Sequence, residues 1–314
     1  MTAVSDLRYS SNNFEMKGSS VATNESSSFL IRHEFLIRRL HSLSGLIPVG
    51  AYMVIHLMTN ASVLNSPGTF QRAVYQIHSL GAALPVIEWG FIFLPILFHA
   101  IFGVVIIRGG LPNTSAYRYT SNTRYTLQRR TGVIAFFFIV FHVFHMHGWF
   151  HFEAWQTNIA EPLGGAMFRP YNAASSLAAA MSGFLYPVLY FIGLLACVYH
   201  LANGLWTMGI TWGLWTTPAA QQRANWISIV FGVGLFAVSL GALVGAKTID
   251  TKAALEVEDK MHDAKLESAE LTAEETKHKR ATNEERASWL DSANSKESSG
   301  RDKVLRSPES NVAQ

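Results

Sequence analysis

Five long apolar stretches limit what this chain can become more than any other feature. They run roughly over Leu40–Ala61, Leu84–Ile107, Thr131–Phe150, Gly183–Met208 and Trp226–Ala246. A bilayer's hydrocarbon core is ~30 Å thick and a helix rises ~1.5 Å per residue, so about 20 apolar residues make one crossing. Within lipid each backbone N–H and C=O must find its partner inside the segment, which selects the helix. The expected fold is therefore all-α, an integral membrane protein of five transmembrane helices. Pro48, Pro95 and Pro187 fall inside the spans, which membrane helices tolerate when neighbours satisfy the freed backbone groups.

The remainder of the chain is of another kind, and the overall 49% hydrophobic and 15% charged residues average the two. Residues 1–37 form a polar extension rich in Ser and Asn, residues 38–246 hold the spans, and residues 247–314 form a charged tail. The tail is polar all round, with a helix-favouring patch from Ala253 to Leu290. It reads as a solvated and largely flexible extension, with a helix for docking a partner as the alternative. The N-terminus lacks the charged, apolar and small-residue succession of a cleaved signal.

Orientation follows from arginine in the short connections. Arg32, Arg38 and Arg39 precede the first span, and Arg108, Arg118, Arg124, Arg129 and Arg130 lie between the second and third. The connections after the first and third spans hold only Arg72 and Arg169. The N-terminus is expected inside, and an odd number of spans then sends the tail outside. The expected setting is the cytoplasmic membrane of a bacterium. A net charge of +3 and the lack of a basic face with interleaved aromatics argue against nucleic acid as a partner. The single cysteine, Cys197, excludes a disulfide framework, a thiolate-bound cluster and covalent haem attachment.

Spans one to four each carry a histidine well inside the membrane: His56, His99, His142 and His200. Ionisable groups at that depth are costly and mark function. Depth sorts them. His56 lies roughly 25 Å along the outward-running first span and His142 about 18 Å along the third, while His99 is about 13 Å from the inner surface. His56 therefore pairs with His142 toward the outside, and His99 with His200 toward the inside. Two facing imidazoles at one level of a four-helix bundle suit a six-coordinate haem, which then carries electrons and leaves no open position for substrate. Helices one to four form the haem-binding bundle in this reading. Gly103 and Gly204 each follow a ligand by one turn on the same helix face, where a missing side chain makes room for a porphyrin edge; close helix packing is the alternative. A zinc or copper transport site would want converging carboxylates or thiolates, and the only acid deep in a span is Glu88.

The motifs "RRLHSLSGLIPVG" (38–50), "FLPILFHAIFG" (93–103), "LQRRTG" (127–132) and "YHLANGLW" (199–206) closely resemble the di-haem cytochrome b membrane anchor of succinate:menaquinone oxidoreductases. This is the single five-helix anchor type of the succinate dehydrogenase/fumarate reductase superfamily, and the resemblance covers about residues 36–246. It implies axial ligands at His56, His99, His142 and His200, two b haems, and menaquinone as bound substrate. It also implies a flavoprotein subunit and an iron–sulfur subunit as partners, with electrons passing from inner to outer haem and on to the quinone. Some fumarate reductase relatives carry a glutamate two residues before the fourth ligand, for proton movement. Here that position is Val198, so that route is not expected.

The histidine-dense stretch "FHVFHMHGWFH" (141–151) thus divides. His142 is the ligand, and His145, His147 and His151 read as interfacial and solvated, with proton delivery at an outer quinone site as the alternative. Arg39 and Arg129 match haem propionates in charge and fork geometry, although the positive-inside rule accounts for them equally. His41 is a shallow candidate for a propionate or subunit contact. Glu88, roughly 16 Å further out than His99 on span two, is a candidate for proton exchange with a quinone. Two other functions stand beside the anchor: the di-haem cytochrome b of another respiratory complex (fumarate reductase, hydrogenase or formate dehydrogenase type), and a haem-free structural or transport protein.

Overall fold

The computed structural model describes residues 32–108, 120–277 and 279–305. The N-terminal segment 1–31 and the stretch 109–119, with Arg118, lie outside the described residues, as do 278 and 306–314. Among the described residues the chain is helical without strands. Five helical segments are long and apolar enough to cross a membrane: Glu34–Leu64, Gly81–Arg108, Asn122–His147, Leu185–Thr211 and Pro218–Thr248. The protein is an all-α, multi-pass membrane protein.

Proline marks the seams. The first span divides into α1 (Glu34–Leu46) and α2 (Pro48–Ala61), with Pro48 as the first residue of α2. It needs no hydrogen-bond acceptor there. After a short α3 (Pro67–His78) outside the membrane, the second span comprises α4 (Leu84–Glu88), a π turn (Trp89–Phe93) and α5 (Leu94–Arg108). The π turn ends two residues before Pro95, whose missing N–H is absorbed by the local widening. The third span lies in α6 (Thr120–His147) and stops three residues short of the expected Phe150. After α7 (Ala173–Ala180), α8 (Leu185–Thr211) forms the fourth span, and Pro187 falls harmlessly in its first turn. The fifth, α9 (Pro218–Thr248), begins a full two turns before Trp226, capped by the Thr217 hydroxyl on Ala220 N.

Helix α8 is the spine, packing against α1, α6 and α9, while α5 leans on α1. Lipid is as apolar as leucine, so such helices associate through close packing rather than water exclusion. The buried face of α8 accordingly contains Gly193, Ala196, Ala202 and Gly209, and that of α9 contains Ala224, Ser228, Ser239, Ala242, Gly245 and Ala246. Val198 is buried with Leu57, Leu201 and Leu235, an apolar environment that fits the absence of a proton-carrying acid there. Helix α5 buries none of its residues against the rest of the chain.

The tail departs from expectation. It folds into α10 (Thr251–Glu267) and α11 (Asn283–Leu305), and α10 docks on α3 and α7, the helices following the first and third spans. One residue explains why. Glu258 is fully buried and accepts from Ala174 N (2.7 Å), Ser175 N (3.0 Å), Ser175 Oγ (2.6 Å) and Asn172 Nδ2 (3.2 Å). A carboxylate distant in sequence thus satisfies the orphan donors at the start of α7. Gln71 of α3 joins the arrangement, donating to Pro170 O and accepting from Ala173 N, both at 2.8 Å. Asp259 is held by Arg280 (2.6 Å) and Arg286 (2.5 Å), and Arg169 by Glu161 (2.9 Å) and Glu285 (2.6 Å). Helical periodicity was legible in the tail; the buried carboxylate that docks it was not, because its partners lie more than 80 residues away.

Candidate functional site

The four intramembrane histidines meet in two pairs. His56 and His142 have ring centroids 5.8 Å apart, and His99 and His200 6.0 Å apart, with interplanar angles of 76° and 88°. His56 sits near the end of α2 and His142 near the end of α6, toward the tail; His99 and His200 lie toward the other end of the bundle. Imidazole nitrogen binds a metal at ~2.0–2.1 Å, so two imidazoles on opposite sides of one metal place their centroids roughly 6 Å apart. Both pairs have that spacing.

Their hydrogen bonds suit the same use. Metal-bound histidine generally donates its second ring N–H to a nearby acceptor, which fixes tautomer and ring orientation. His99 Nδ1 lies 2.8 Å from His41 O, His200 Nδ1 3.0 Å from Gln128 O, and His142 Nδ1 3.1 Å from the Tyr190 hydroxyl. These three rings therefore keep Nε2 for a metal. His56 is held less closely, with Tyr52 Oη 3.5 Å from Nδ1 and Asn60 Nδ2 3.4 Å from Nε2. Among the described residues no three of His, Cys, Asp or Glu converge on one point, so the arrangement consists of facing histidine pairs rather than a three- or four-ligand ion site. The donor set fits a haem at each pair.

Glycine serves these rings at positions the sequence reading passed over. A Cβ on Gly45 would overlap the His99 imidazole, and one on Gly132 would lie 2.8 Å from His200 Cε1. Gly103 instead faces His41 at 3.3 Å, and Gly204 faces Gln128 at 3.6 Å. Gly103 and Gly204 lie on the same helices as His99 and His200, whereas the tight glycine contacts to those two rings come from neighbouring helices.

No family model matches the chain. It is 34% identical over 210 residues to the succinate dehydrogenase cytochrome b558 subunit of Bacillus subtilis (strain 168), an alignment covering 67% of this chain and 96% of that protein. The chain belongs to the succinate dehydrogenase cytochrome b subunit family, the membrane anchors of complex II. The third of the chain beyond that alignment is material the relative does not share. Side-chain contacts around His200 hold that part of the anchor together. Gln128 donates to His200 O at 3.1 Å and accepts from Asn203 Nδ2 at 2.8 Å, and Arg124 reaches Asn203 at 2.8 Å and Asn225 at 2.6 Å.

The other candidates fall as follows. Arg39 stacks its guanidinium 4.1 Å over Phe35, and its Nε is buried without a hydrogen-bond partner among the described residues. Arg129 donates to Ile106 O at 3.2 Å and lies 4.2 Å over Tyr125. His41 does not sit apart: its ring stacks on His99 at 3.9 Å and 11°. Glu88 is half-buried in α4 and lies within electrostatic range of His151 and Tyr52. His147 and His151 are exposed, with centroids 6.4 Å apart. His145 is a correction. It is 1% exposed rather than solvated, because it follows His142 by three residues and shares the helix face turned to α8.

Proposed function

We propose that this membrane anchor holds two b haems, one between His56 and His142 and one between His99 and His200, and carries electrons from an iron–sulfur subunit to menaquinone. The flavoprotein and iron–sulfur subunits of succinate dehydrogenase are its partners in this reading. The observation that carries it is the pair of centroid separations, 5.8 and 6.0 Å, at two levels of one bundle. Bound there, the haems would supply one-electron transfer. The chain's own residues do the rest: His99, His142 and His200 would bind through Nε2 while the acceptors at their Nδ1 orient the rings, His56 would supply the fourth ring nitrogen, and the apolar helices exclude water. Arg39, with its buried Nε, and Arg129 are the proposed partners of the propionates. The kinship to a succinate dehydrogenase subunit favours this over the di-haem cytochrome of another respiratory complex.

The test is haem stoichiometry with spectra on the purified complex. Wild type should carry two low-spin haems per chain, His56→Ala or His142→Ala should lose one, and His99→Ala or His200→Ala the other. A single haem in the wild type, or both haems surviving in any of these variants, overturns the assignment.

Glu88 is proposed to exchange protons with a quinone bound toward the His56–His142 end, supported by its half-buried position beside Tyr52 and His151. An acid there is costly unless used. Reduction of a low-potential quinone by succinate is uphill, and outward electron movement draws on the membrane field, ~2.3 kcal/mol per charge per 100 mV. Glu88→Gln should retain both haems and succinate oxidation by an artificial dye, yet lose quinone reduction. Normal quinone turnover in that variant removes Glu88 from the mechanism.

A further inference from the structure

The two histidine pairs differ in what stands behind them. His99 and His200 face backbone carbonyls, of His41 and Gln128. His142 faces a side chain, the Tyr190 hydroxyl, and that hydroxyl is shared: it lies 3.1 Å from His142 Nδ1 and 2.9 Å from His145 Nδ1. All three groups are locked in place. Tyr190 is 6% and His145 1% exposed. The His145 ring stacks on Tyr186 at 4.3 Å and on Phe141 at 5.4 Å, so it cannot swing away without breaking two ring contacts. Phe138 packs against both His142 (5.8 Å) and Tyr190 (5.3 Å).

We propose that Tyr190 and His145 are positioning residues for the haem held by His56 and His142, and that they set its midpoint potential. The inference rests on the assignment of His142 as a ligand. A neutral imidazole carries one N–H, so a ring bound through Nε2 has its hydrogen on Nδ1. Tyr190 must then accept from His142, and its single O–H is left to donate to His145 Nδ1. His145 thereby takes the tautomer with its hydrogen on Nε2, the nitrogen that is buried without a hydrogen-bond partner among the described residues. The direction of the whole chain follows from the ligand. An acceptor on the ligand's N–H raises its basicity and favours the ferric state. Donation to His145 polarises the Tyr190 oxygen and makes it a better acceptor. Among the described residues the Nδ1 atoms of His99 and His200 face backbone carbonyls instead, so the effect belongs to one haem alone.

The experiment is a spectroscopic redox titration of the assembled complex in its membrane, comparing wild type with Tyr190→Phe, His145→Leu and His145→Gln. Tyr190→Phe removes only the hydroxyl. It should retain both haems and raise the potential of the His56–His142 haem by on the order of a tenfold change in the ferric/ferrous ratio, about 59 mV for one electron. The other haem should not move. His145→Leu should shift the same haem in the same direction by less, and His145→Gln, which keeps an acceptor for Tyr190, should lie close to wild type. Loss of that one haem in Tyr190→Phe with the other retained also supports a positioning role. If Tyr190→Phe fails to assemble, His145→Leu decides: a shift confined to the one haem supports the chain, and none overturns it. Unchanged potentials in Tyr190→Phe, or a shift of the His99–His200 haem, overturn it outright. His142→Ala is the control that separates the two ideas. Retention of both haems there removes the ligand assignment, whereas loss of one haem there beside unshifted potentials in Tyr190→Phe removes only this inference.

Discussion

Gly45 and Gly132 each press the backbone of one helix against a histidine of another. In both places a side chain would have to displace the imidazole, and overpacking of this kind costs about 1–3 kcal/mol. Gly45→Val should therefore deplete the haem of His99 and His200 while leaving that of His56 and His142, read as a halved difference spectrum with one potential remaining. Glu258 makes an equally local argument outside the membrane. Its carboxylate takes four hydrogen bonds, two of them from backbone N–H groups in the first turn of α7, and Glu258→Ala leaves those buried donors unmatched. A loss of about 2–3 kcal/mol is expected, seen as faster proteolysis of the tail with haem content unchanged. Unaltered protection would mean the tail is held by its ion pairs instead.

The docked tail is an element-scale device, and its stability should depend on pH. Burial and the nearby Lys279 push the His78 imidazole down to about 4, and burial beside Arg280 lowers His262 as well. Groups depressed in the folded state bind fewer protons there than when unfolded, so folding stability rises with pH across the interval between the two pKa values. The contribution of His78 is complete above its ordinary 6.5 and is lost as pH falls toward 4. Glu258 acts in the opposite sense, burial raising its pKa against the pull of its hydrogen bonds, so it gives back stability at low pH. Protection of the α10 and α11 amides, taken relative to the intrinsic exchange rate at each pH, should fall between pH 7 and pH 5, less so in His78→Gln. Equal protection at the two pH values would remove His78 from the account. The helical pattern of the tail was visible in Ala253–Leu290, but a pattern of helix without a broad apolar face does not say what the helix will lie against.

Across the whole molecule, helices α3, α7 and α10 gather at one end of the bundle, with the arginines before the first span at the other. The arginine bias predicts that this gathered end faces outward. The chain's only cysteine, Cys197, is buried, so single introduced cysteines report cleanly. A membrane-impermeant maleimide added to spheroplasts should label Glu284→Cys in the tail and spare Arg32→Cys; the reverse pattern would invert the orientation. What the sequence determined by itself was whatever depends on length and one-dimensional pattern. Five apolar runs are long enough to cross a bilayer and can satisfy their backbones only as helices, and a polar histidine in four of them is too costly to be idle. Rise per residue even sorted those histidines by depth, since depth along a helix is a linear coordinate. Rotation about the helix axis and contact between distant segments are not linear in the chain, and these only the tertiary structure decided. It turned His145 inward to Tyr190, set Gly45 and Gly132 against the rings of His99 and His200, and folded the tail onto α7 through Glu258, because each of those contacts is made by residues that share a place in space and no spacing in sequence.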